Sequence, residues 1–158
     1  MKRLPTIVAC IWTCTGCHSR PNHATINESI IPAVIILPAN ATNTSFRFEV
    51  SYHTNAPSFL RNFDALIAQT INQRWQAEVD RLAPQSSLET GQVKLQFILQ
   101  EDGDVEGLDL VGSDVNLDLA DTGIIAVLET IPLPRWPADV RQLIGRPTRE
   151  VGLSFHFR

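Results

Sequence analysis

The hydrophobic patterning of this chain predicts an α+β fold: a small antiparallel sheet with two helices packed on one face. Apolar residues alternate with polar ones in four separate segments, and over one long segment they recur at spacings of three and four. These patterns follow one another as strand, long helix, hairpin, second helix and strand, the order of a two-layer domain around one core.

The first alternating segment is Phe46, Phe48, Val50 and Tyr52, interleaved with Arg47, Glu49 and Ser51, which is the period of a half-buried strand. Asn55, Pro57 and Ser58 then open a helix. Leu60, Phe63, Ile67, Ile71, Trp75, Val79 and Leu82 form its apolar stripe, and Pro84 ends it. Arg74, Glu78, Asp80 and Arg81 fall off that stripe and read as a solvated face. Val93, Leu95, Phe97 and Leu99 make a second strand. Asp102-Gly103, a pair that accepts the positive φ of a tight turn, folds the chain back through Val105, Leu108 and Leu110, with Gly107 as a bulge. Asp114 or Asn116 caps a second helix whose buried side includes Leu117, Ile124, Val127 or Leu128, and Ile131. Gly123 weakens that helix by roughly 1 kcal/mol relative to Ala. Pro132, Pro134 and Pro137 exclude regular helix from the next stretch, and Asp139 to Ile144 suits one short turn of helix. Val151, Leu153, Phe155 and Phe157 close the chain as a last strand. Their alternation sends Glu150, Gly152, Ser154 and His156 to the opposite face.

Ahead of this domain, which spans residues 46–158, lie two segments of different character. Lys2 and Arg3 precede an apolar run from Leu4 to Trp12, and small or polar residues follow it, the layout of a signal peptide over residues 1–16. Even counted on to Gly16, the segment from Leu4 has 13 residues, fewer than the roughly 20 a membrane-spanning helix needs. Thr15-Gly16-Cys17 resembles the end of a bacterial lipobox, although Cys14 stands where that pattern usually has a large aliphatic residue. The resemblance implies lipid attachment at Cys17. His18, in place of the Asp that resembles an inner-membrane retention signal, implies anchoring to the outer membrane with the domain facing the periplasm. Soluble export after ordinary cleavage and an uncleaved anchor are the alternatives. Residues 17–45 carry Pro21, Pro32 and Pro38 among Asn, Thr and Ser and read as a tether. Its one apolar patch, Ile30 to Leu37, either pairs as a strand or stays mobile.

Over about Pro57 to Arg158 several features line up with one family. The first helix carries Arg74-Trp75 toward its end. Gly91 to Phe97 is followed by Asp102 to Val105 and by Val111-Gly112-Ser113. Ala126-Val127 precedes Ile131 to Pro134, Trp136-Pro137 comes before the last strand, and the chain closes on Leu153 to Phe157. This pattern is similar to the C-terminal domain of TonB and its TolA-like relatives, in the manner of a divergent, stand-alone member. It departs from the family after Trp75, where no Tyr-Pro follows, and at the shortened turn Gly112-Ser113-Asp114. The resemblance implies a non-catalytic module that grips a short peptide of an envelope or outer-membrane protein by adding it to a sheet edge, in TonB-dependent transport. A structural or dimerising envelope lipoprotein is the alternative. Placed on this sequence, the peptide-binding edge is the last strand: Glu150, Val151, Gly152, Leu153, Ser154, Phe155 and His156.

Other chemistry finds little footing. The chain of 158 residues carries 17 acidic and 13 basic residues, a formal charge of −4, and no basic stripe to neutralise phosphates, which excludes nucleic acid as a partner. Asp102, Asp104, Glu106 and Gly107 imitate the start of a calcium loop, but the twelfth position is Ser113 where a bidentate Glu belongs. His18, His23, His53 and His156 are isolated, and Cys10, Cys14 and Cys17 lie in a translocated segment rather than a zinc site. No glycine-rich phosphate loop or Gly-x-Ser-x-Gly elbow is present. The expectation is a protein without catalytic residues, cofactor or metal.

Overall fold

A computed structural model describes residues 30–37, 44–53, 56–82 and 89–157. The signal peptide, Cys17 and most of the tether lie outside the described residues. Five strands and three helices follow one another as β1 (Ile30–Leu37), β2 (Ser45–His53), α1 (Ser58–Leu82), β3 (Gly91–Gln100), β4 (Val105–Ser113), α2 (Leu117–Leu128), α3 (Ala138–Ile144) and β5 (Thr148–Phe157). The strands form one sheet in the order β1-β2-β5-β3-β4, antiparallel throughout, so the fold is α+β. The apolar patch Ile30 to Leu37 is therefore an edge strand, and among the described residues the sheet begins at Ile30.

Register and burial agree on which face of the sheet is the core. Phe46 and Phe48 of β2 stand beside Phe155 and Leu153 of β5, which in turn stand beside Val93 and Leu95 of β3. All six are buried, as are Phe97, Leu99, Val151 and Phe157 on the same face. Onto this face α1 lays the stripe read from its sequence: Leu60, Phe63, Ile67, Ile71, Trp75 and Val79 are all buried. Trp75 sits at the centre, 4.9 Å from the Phe155 ring, 5.5 Å from Phe157 and 6.4 Å from Phe46. Its indole Nε1 donates to Thr122 Oγ1 at 3.2 Å, and that hydroxyl donates to the Leu119 carbonyl at 2.7 Å, so the polar tip of the ring is satisfied inside the core.

The second helix is capped by Asn116, whose Oδ1 accepts from Leu119 N at 3.0 Å. Its buried side differs from the one read in the sequence. Leu119, Ala120, Thr122, Gly123, Ala126 and Val127 face inward, whereas Leu117 is 78% exposed and Leu128 is also exposed. Close approach decides this. A Cβ on Gly123 would lie 2.9 Å from Phe155 Cε2, so the small residues of α2 are the ones that fit against the sheet.

The β3–β4 hairpin turns through Glu101, Asp102 and Gly103. Gly103 N donates to the Gln100 carbonyl, Gln100 N donates to the Asp104 carbonyl, and Gly103 adopts φ +95. Asp102 Oδ1 accepts from Asp104 N at 3.1 Å and braces the turn. The proline-bearing segment after α2 crosses the hairpin tip. Leu133 N donates to the Gly103 carbonyl at 2.8 Å and Trp136 N to the Glu101 carbonyl at 2.9 Å. Leu133 and Trp136 are both buried there.

Among the described residues three charged side chains are buried: Asp64, Glu78 and Arg149. Arg149 of β5, placed on the buried face by its register with Leu99, donates from both guanidinium nitrogens to the Asp64 carboxylate of α1, at 2.6 and 3.0 Å. Both residues are buried. Glu78 is buried as well, contrary to its reading as solvated, because Arg74 and Arg81 fold over it at 3.0 Å each.

Candidate functional site

The last strand is not an edge. β5 pairs with β3 along its whole length, from Gln100↔Thr148 to Gly91↔Phe157, and on its other side with β2 from Glu49↔Gly152 to Ser45↔His156. Gly152, Leu153, Ser154, Phe155 and His156 are thus closed to a partner strand on both sides. Glu150 and Val151 lie just past the β2 ladder but inside the β3 ladder. The cause is the alternation of Phe46, Phe48 and Val50. These three side chains can leave water only on the helix-covered face, and the place beside β5 provides it. Strand addition to β5 is carried out by the chain itself. The face assignment within the strand does hold. Val151, Leu153 and Phe155 are buried, while Glu150, Gly152, Ser154 and His156 lie on the open face. Ser154 is nonetheless buried there, between Arg47 and Lys94 in the cross-strand row.

Among the described residues the edges of the sheet are β1 and β4. β1 pairs with β2 without interruption from Ile30↔His53 to Leu37↔Phe46 and holds no charged residue. Its register sends Ile35 and Leu37 to the core side, opposite Phe48 and Phe46, and Val34 and Ile36 to the open face, where Ile36 is 59% exposed. Pro32 is its one device against further pairing. β4 is irregular. Its register with β3 shifts twice, and Gly107, at φ +60, sits in the first of these shifts, as its sequence position suggested. Val111 stands at the second shift and is 61% exposed.

Charge separates these edges further. The acids and bases of the chain are unevenly distributed. Between Lys94 and Arg135 lie nine of the 17 acidic residues and none of the 13 basic ones. They fall on the hairpin tip, on β4, on the connection after it and on α2 with its C-cap Glu129; all are exposed, and all but Glu129, which pairs with Arg74, have no ion pair among the described residues. A count taken in windows along the sequence would have found this segment. The open face between the edges is polar, with Glu49 within 3.5 Å of Ser154 Oγ and Gln96 hydrogen bonded to Glu150.

Among the described residues no group of three or more His, Cys, Asp or Glu side chains is placed to hold a metal ion, and no helix is long and apolar enough to cross a membrane. The lipid-attachment residue read from sequence, Cys17, lies outside the described residues. What the described residues can do chemically is satisfy an extended backbone along an edge. No protein-family model matches the chain, and no curated protein matches it.

Proposed function

We propose that this chain is a non-catalytic, periplasmic protein-binding module of the bacterial cell envelope. It is tied to the outer membrane through a lipid on Cys17, and it works by adding an extended segment of an envelope protein to an open edge of its sheet. The observation that supports this reading best is the termination of the sheet in β4, a nine-residue strand hydrogen bonded on one side only. Such an edge offers backbone donors and acceptors in a row, and an extended peptide satisfies them without any reacting group. The resemblance to the TonB C-terminal domain agrees with this mode and links the protein to TonB-dependent transport, with the edge moved from β5 to a strand that is free. The test is a titration of the full chain with extended peptides taken from outer-membrane receptors, followed by backbone amide exchange. Binding accompanied by new protection along an edge strand is expected, and no binding by any peptide would defeat the reading.

A second reading, a structural lipoprotein that pairs with itself, is favoured by β1, whose eight residues carry no charge to repel another copy. Sedimentation of the purified chain separates the two. A stable dimer that ignores every added peptide would establish self-pairing in place of partner recognition.

A further inference from the structure

From the charge and register of β4 we infer the chemistry of the segment that adds to it: an extended peptide in which Lys or Arg alternates with apolar residues. This rests on the sheet-edge reading above and adds to it the choice of edge and the kind of partner.

The backbone of β4 supplies the first part of the argument. It is paired with β3 on one side, and among the described residues no strand lies on the other. The second part is the distribution of side chains across the edge. Asp109 stands beside Gln96 and Glu106 beside Ile98, which puts both carboxylates on the open face of the sheet. Residues three apart in a regular strand would face opposite ways. The bulge at Gly107 brings these two to the same side. Leu108 and Leu110 take the helix-covered side, Leu108 packed against the core and Leu110, opposite Leu95, still 45% exposed. A strand laid outside β4 therefore meets carboxylates on one face and apolar surface on the other. Its own side chains alternate with period two, so cations and apolar groups in alternation complement both faces at once.

The third part is the absence of competing cations. Glu101, Asp102 and Asp104 at the hairpin tip extend the acidic run of Glu106 and Asp109, all five are exposed, and none forms an ion pair among the described residues. The bases near this run are Lys94, opposite Gly112 at the far end of β4, Arg135, within the segment that crosses the tip, and Arg146, next to Pro147, whose carbonyl accepts from Glu101 N. None of them shares a register position with Glu106 or Asp109. Glu106 and Asp109, three residues apart in a strand that rises about 3.3 Å per residue, lie within about one Debye length of each other, so they act jointly on an approaching cation. The same charges work against a second copy, since β4 on β4 would set acid beside acid.

The test uses the full chain in detergent and three fluorescent peptides of equal length, alternating Lys-Val, Ser-Val and Glu-Val. Binding is read by anisotropy at low and high salt, and its location by amide exchange. The wild-type protein should bind Lys-Val most tightly and Glu-Val least. The double substitution Glu106→Lys and Asp109→Lys should weaken Lys-Val by about tenfold and raise Glu-Val. The milder pair Glu106→Gln and Asp109→Asn should fall between them, which also guards against a misfolded reversal variant. Equal binding of all three peptides, or protection appearing along β1 instead of β4, would overturn this inference while leaving sheet-edge recognition in place. Failure of every peptide to bind would remove the sheet-edge reading and the inference together.

Discussion

Gly103→Ala should be among the most damaging single-methyl additions in the protein. The added Cβ would stand 1.9 Å from the Leu133 carbonyl oxygen and 2.9 Å from its carbon, both backbone atoms that cannot rotate away. Relief needs the proline-bearing segment to retreat by about 1 Å, which breaks the hydrogen bond from Leu133 N to the Gly103 carbonyl and disturbs its neighbour from Trp136 N to Glu101. An alanine at φ +95 costs about 1–2 kcal/mol by itself. Losing one or both buried hydrogen bonds adds about 1–3 kcal/mol, so the total is about 2–5 kcal/mol. Gly107→Ala is the natural control, because Gly107 also has positive φ, +60, but nothing lies within 4 Å of its Cβ position. It should lose the backbone part alone, about 1–2 kcal/mol. Urea unfolding followed by the fluorescence of buried Trp75 and Trp136 measures both variants under one protocol. If Gly103→Ala proved no more than about 1 kcal/mol worse than Gly107→Ala, the clamp over the hairpin tip would not hold the energy assigned to it.

Removing one partner of the buried pair, as in Asp64→Ala, should cost about 3–5 kcal/mol in the same assay. Replacing both, with Asp64→Leu and Arg149→Met, should recover most of the loss, and a double variant as unstable as the single one would refute this account. Gly123→Ala should destabilise by about 1 kcal/mol despite the better helix propensity of Ala, since Phe155 is wedged between Phe46 and Trp75 and cannot yield. A gain in stability would show that the ring moves. Intact mass of membrane-extracted protein should show a chain beginning at an acylated Cys17, and retention of Met1 would sink the lipoprotein proposal.

How much of this was legible in the sequence depends on the range of the interactions involved. The stripe of α1 and the alternation of β2, β3 and β5 were readable because helix and strand periods are local and each segment has one wet face. Strand order was not. Phe46 and Phe48 announce which face they need but not which strand they join, and that choice, made over about 100 residues of intervening chain, turned the expected docking edge into the middle of the sheet. The buried ion pair did leave a trace. Asp64 lies four residues from both Leu60 and Ala68 on the apolar stripe, and Arg149 stands two before Val151 in the buried register of β5. Two opposite charges, each at a core position of its own element, were a pair to be matched. Leu117 misled because size suggests burial, whereas the approach of α2 to Phe155 is set by its smallest residues, Ala120, Gly123 and Ala126.

The way β1 is attached has a mechanical meaning. Among the described residues β2 is its one strand neighbour, Ile30 opposes His53 at the end where the preceding chain arrives, and its described side chains are at most partly buried. β2, by contrast, is nailed into the core by Phe46 and Phe48. β1 and β5 both run antiparallel to β2, so the chain enters β1 at the His53 end of β2 and leaves β5 at its Ser45 end. A load drawn through the residues before Ile30 against the C-terminus therefore acts along β1 and strains its hydrogen bonds to β2 all together, the geometry of shear. Only when they give way as a set do the eight residues of β1, at about 3.3 Å each, lengthen the reach of the domain.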